Sequence, residues 1–97
     1  MIKHIVFWKF KPDTESEQAE FFAALENLRG KIEVLKSLDI HKNVNPDNDC
    51  DAALITTFAS LEDLNAYKND PRHLAASALC KEIRLARHAV DFEFETI

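Results

Sequence analysis

The 97-residue chain has one glycine, one tryptophan, one tyrosine and two cysteines, and each scarcity removes a class of function. A single glycine, Gly30, cannot build the glycine-rich cradle of a phosphate- or dinucleotide-binding loop, and neither a GxGxxG, a P-loop nor a G-x-S-x-G elbow is present. No cofactor is expected. Cys50 and Cys80 stand apart from one another with no CxxC pair, which reads as free thiols in a reducing compartment. The four histidines show no HxH, HxxxH or Cys/His ligand spacing, so no metal is expected either.

Long apolar runs are also missing. No stretch approaches the ~20 residues that span a bilayer, and "MIKHIVFWKF" is broken by lysines and lacks a small-residue cleavage site after it. The expectation is a cytoplasmic protein with no membrane partner. Twelve basic residues are scattered among seventeen acidic ones, for a formal net charge of −5, where nucleic-acid binding needs clustered Lys and Arg. No nucleic-acid partner is expected. The length leaves room for one domain, residues 1–97, burying only roughly 60–65% of its unfolded surface.

What is present is strong patterning. Residues 2–10 alternate Ile2, His4, Val6, Trp8 and Phe10 against Lys3, Ile5, Phe7 and Lys9, a strand by its period of two. "TESE" at 14–17 reads as a capping box. It opens a helix whose stripe is Phe21, Leu25, Leu28 and Ile32, with Gly30 as its C-terminal cap. A second strand is expected over 35–44, a loop at "NPDND", and a third strand over 51–59 with apolar residues on both faces. Ser60 caps a short helix reaching Tyr67; Asp70-Pro71 restarts a helix to about Arg84 over Ala75, Leu79 and Ile83; residues 87–94 alternate as a last strand.

The order β-α-β-β-α-β specifies an α+β, ferredoxin-like protomer: a four-stranded antiparallel sheet with its helices on one face. The first, third and fourth strands nevertheless carry apolar side chains on both faces, and monomers rarely expose so large an apolar patch. A homodimer through the open sheet faces is therefore expected.

"MIKHIVFWKFKP", "TFASLEDLNAYKNDPRH" and "VDFEF", in that order, resemble the stress-responsive A/B barrel domain (Dabb) family over nearly the whole chain. The resemblance implies a dimeric α+β barrel, often with a cavity inside each half. A plant polyketide cyclase of that family uses a tyrosine–histidine pair in an aldol closure, and by motif Tyr67 and His73 match the pair while His4 matches its N-terminal pocket histidine. Where that cyclase has a further pocket histidine, this chain has Ala52, so its substrate class does not transfer.

Two readings of these residues stay open. In one, Tyr67 and His73 face a common pocket across the Asp70-Pro71 restart. His73, third in the new helix, is kept neutral there by the N-terminal dipole and can act as a base beside a donating phenol. Asp91 would orient the His73 ring, and His4 and Trp8 would contact a small apolar ligand. In the other, Tyr67, His73 and Asp91 form a buried structural hydrogen bond tying helix to sheet. Trp8, Phe10 and Phe92 supply packing or floor a ligand, and His41 and His88 lie on the surface. The functions that follow are a ligand-binding barrel, a cofactor-independent cyclase-like or isomerase-like enzyme, or, by fold analogy alone, a cofactor-free monooxygenase.

Overall fold

The computed structural model describes residues 1–95, so the last two positions of the expected domain lie outside the described residues. The elements are β1 (Ile2–Phe10), α1 (Glu15–Glu26), β2 (Ser37–Lys42), β3 (Ala52–Phe58), α2 (Leu61–Asn69), α3 (Pro71–Ile83) and β4 (Arg84–Glu93). The strands lie in the order β2-β3-β1-β4 with every neighbouring pair antiparallel. This is the ferredoxin-like βαββαβ arrangement.

Alternation in β1 sorts the two faces. Ile2, His4, Val6, Trp8 and Phe10 are buried on the side that meets the helices. Trp8 meets Phe21 of α1 edge-on at 5.1 Å between centroids and stacks with Phe10 at 6.0 Å. Each large side chain so buried contributes roughly 1.5–3 kcal/mol. On the opposite face Phe7, Val90 and Phe92 remain exposed, and the register sets Phe7 beside His88, Ile5 beside Val90 and Lys3 beside Phe92. His41 and His88 are exposed.

Several local expectations need correction. Thr14 makes no side-chain cap; its hydroxyl donates to the Lys11 carbonyl at 2.7 Å, and Gln18, not Glu17, reaches it. The preceding Asp13 has φ 60°, and this tight turn aims the hydroxyl backwards rather than into the helix. The first helix ends at Glu26, earlier than expected. Successive i→i+3 hydrogen bonds follow, among them Leu28 to Leu25 and Lys31 to Leu28, and this tighter winding keeps Leu28, Ile32 and Leu35 buried. Gly30, at φ 75°, serves that winding segment rather than the helix end. The α3 stripe is Ala76, Cys80 and Ile83, whereas Ala75 and Leu79 face outward.

Both later helix starts form as the sequence indicates. The Ser60 hydroxyl accepts from Asp63 N–H at 3.1 Å, and the Asp70 carboxylate accepts from Arg72 N–H at 2.8 Å with Pro71 next to it. Arg72 also bonds that carboxylate through its side chain, which holds Asp70 down at a pKa of about 2. Cys50 and Cys80 are free. No helix among the described residues is long and apolar enough to cross a membrane.

Candidate functional site

β1 and β4 bring His4 opposite Asp91, and the His4 Nδ1 hydrogen-bonds the Asp91 carboxylate. A carboxylate only accepts, so Nδ1 carries the proton and Nε2 is left as an acceptor. Burial lowers the His4 pKa from 6.5, partly offset by Asp91, and the ring is neutral near pH 7.

The Asp70-Pro71 restart folds His73 back over the end of α2. Its Nδ1 donates to the Lys68 carbonyl at 3.1 Å, one of the last four carbonyls of α2 and so without an ordinary helical partner. His73 therefore also presents Nε2 as its acceptor. Burial is the largest cause that lowers its pKa, and the charges of His4, Arg87 and Lys68 act in the same direction. The expected neutrality is present, with burial as its leading cause.

The Tyr67 ring is fully buried between Phe58, at 5.0 Å, and His73, at 4.4 Å between centroids. Among the described residues its hydroxyl has no hydrogen-bond partner. Burial pushes the phenol pKa well above 10, so the group is a fixed donor.

Asp91 does not orient His73; it binds His4, and the Lys68 carbonyl orients His73. The hydrogen bond expected among Tyr67, His73 and Asp91 is not formed. The reason is register: only the antiparallel pairing of the first and last strands decides which ring faces residue 91.

Between the helices and the sheet lies a cavity of about 280 Å³. Val6, Trp8 and Leu54 from the sheet and Phe21 and Leu25 from α1 make its apolar wall; His4 and His73 enter it. Tyr67 stands behind His73 rather than on the wall, and Phe10, Phe92 and Asp91 do not line the cavity. Sequence reasoning missed Lys68, Ser77, Lys81, Arg84 and Arg87, which do. No motif marks them, and the alternation that marks the fourth strand covers only 87–94, leaving Arg84 outside it. Among the described residues no three His, Cys, Asp or Glu side chains converge to hold a metal ion. Chemically, the site offers two neutral imidazole acceptors and an apolar wall, with the Tyr67 phenol packed against His73 off the wall.

The sheet topology, the uncovered apolar face and a histidine-bearing cavity under the helices define a protomer of the ferredoxin-like α+β barrel class. The chain belongs to the stress responsive A/B barrel domain family, Dabb, whose model matches residues 2–94. It is similar to a dimeric protein of unknown function and ferredoxin-like fold from Bacteroides fragilis: 33% identity over 96% of this chain and 95% of that one, with a TM-score of 0.88. A hydroxynitrile lyase from Passiflora edulis shares 18% identity over 99% of this chain and 95% of its own, at a TM-score of 0.85. A Dabb family protein from Mesorhizobium loti shares 16% over 98% and 97%, at 0.82. The latter two show the fold alone. None of the curated proteins matches the chain.

Proposed function

We propose that the protein is a homodimeric barrel, joined through its open sheet faces, whose protomers each bind a small, largely apolar molecule in the cavity between helices and sheet. The cavity carries the reading. An apolar wall of Val6, Trp8, Phe21, Leu25 and Leu54 converges on two imidazoles, the form expected of a small-molecule site: mostly apolar, with few placed polar groups. Its volume lies just under the roughly 300–1,000 Å³ of drug-sized pockets, which suits a compact ligand. The dimer is supported by exposed Phe7, Val90 and Phe92 on the uncovered face and by the dimeric state of the Bacteroides fragilis protein.

A second reading, cofactor-independent acid–base catalysis of the cyclase or isomerase kind, is favoured by the unpartnered Tyr67 hydroxyl beside His73. A free imidazole nitrogen at the cavity can take a proton from carbon, and this reading requires the Tyr67 hydroxyl, which is off the wall, to turn toward the ligand so that the phenol steadies the resulting oxyanion. The likeness to a hydroxynitrile lyase sets an enzyme on the same fold.

Trp8, the only tryptophan, lines the cavity and reports occupancy by its fluorescence. A panel of polyketide-like and quinol compounds should quench it saturably, and His73→Ala should weaken that quenching. Turnover lost in His73→Ala selects the enzyme, saturable binding without turnover selects the binding barrel, and no saturable binding by any compound overturns both.

A further inference from the structure

We infer that the cavity takes an acid: a compact apolar body with one carboxylate or equivalent oxyanion, held at the mouth by Arg84, Arg87, Lys81 and Lys68. This rests on the cavity reading above and adds to it the sign of the ligand's charge.

The chain is acidic, with a formal net charge of −5, yet four basic side chains and no Asp or Glu line this cavity. Elsewhere three of the eight other basic side chains pair with acids: Lys9 meets Asp49 and Asp51, Arg29 meets Glu26, and Arg72 meets Asp70. Among the described residues none of the four cavity cations has a carboxylate within 4.0 Å. Lys68, Lys81 and Arg87 are exposed and Arg84 is half-buried, so they form a mouth above the apolar wall rather than a buried cluster.

A strand irregularity assembles this mouth. Arg87 pairs with Trp8 and Arg84 with Phe10, with a register shift between Lys9 and Phe10. Trp8 and Phe10 both face the helices, so residues three apart on β4 share one side, which strict alternation forbids. The extra residue, Leu85, is left exposed. A bulge that re-aims a side chain next to a cavity is a recurrent device at functional sites. The field it creates reaches inside: the Arg87 charge is felt at His4, Tyr67, His73 and Cys80. A guanidinium matches a carboxylate in shape as well as charge.

The test compares two probes alike in shape, 4-butylbenzoate and its neutral amide, by calorimetry at about pH 7.5, where the acid is ionised. The acid should bind about tenfold or more tightly, the factor that one charge-assisted hydrogen bond supplies. That preference should shrink in Arg87→Gln, in Lys81→Gln, and at about 0.5 M salt. Circular dichroism checks that each variant folds, and two independent variants guard against the loss of one. An amide that binds as tightly as the acid removes the charge inference and leaves the cavity reading standing. A preference unchanged in both folded variants overturns the assignment to the mouth. If neither probe binds, the cavity reading falls for this compound class and the inference falls with it.

Discussion

The His73 imidazole lies 4.4 Å, centroid to centroid, from the Tyr67 ring and is inclined to it by 46°, while the Tyr67 hydroxyl, fully buried, finds no hydrogen-bond partner among the described residues. A buried donor without a partner costs folding free energy, because it gives up its hydrogen bond to water and gains none. Tyr67→Phe should therefore leave unfolding free energy within about 1 kcal/mol of the parent or raise it, and should weaken ligand binding only under the acid–base reading, in which the hydroxyl turns toward the ligand. A loss near 2 kcal/mol in denaturant titration would assign the hydroxyl to the fold instead.

Burial pushes the folded-state pKa values of both His4 and His73 below 6.5. As pH falls through 6.5 the unfolded chain takes up protons that the native state refuses, so stability declines until the folded values are reached. Above that window the two rings cost nothing. The thermal midpoint should fall between about pH 7.5 and 5.5, and the fall should be smaller in His73→Gln; a flat profile contradicts the buried-neutral assignment.

Asp91 raises the His4 pKa through its hydrogen bond and charge, whereas His73 bonds the Lys68 carbonyl. Asp91→Asn should thus lower the His4 titration midpoint further and move that of His73 only secondarily, through the His4 charge, read from imidazole resonances by NMR. Movement at His73 with His4 unchanged would reverse the pairing.

Trp8 is 3% exposed and packs on Phe10 and Phe21. Trp8→Ala should cost about 3–5 kcal/mol, measured by urea unfolding. A cost below about 1 kcal/mol would mean that the aromatic cluster collapses into the space or never depended on the indole.

Phe7 on β1 is 39% exposed on the uncovered sheet face. Phe7→Lys should turn a dimer of twice 11.1 kDa into a monomer at micromolar concentration in sedimentation, because a charge in the centre of an apolar interface is costly. A parent protein already monomeric removes the dimer proposal.

The fold was legible because its signals are local and mutually consistent. Alternation in β1 states both faces, and Ser60 and Asp70-Pro71 mark two helix starts by chemistry that acts within three residues. What misled were choices that local pattern leaves open. Thr14-x-x-Glu17 has the letters of a capping box, yet the turn at Asp13 sends the hydroxyl elsewhere. In α3, alanines and leucines on more than one side allow the stripe to be read one position off, at Ala75 and Leu79 rather than Ala76 and Cys80. The site was half-legible. His4, Trp8 and His73 line the cavity as their motifs suggest, but the partner of Asp91 depends on pairing strands at opposite ends of the chain. The Arg84–Arg87 mouth depends on a bulge that no periodicity announces.

The central claim is that the protomer cavity is the ligand site, and a crystal structure grown with 4-butylbenzoate tests it most directly. The account predicts ligand density beneath the helices, with its ring against Trp8 and Leu54, His4 and His73 alongside it, and its carboxylate toward Arg87. Density confined to the sheet–sheet interface, or a cavity closed by its own side chains with no ligand inside, would contradict it.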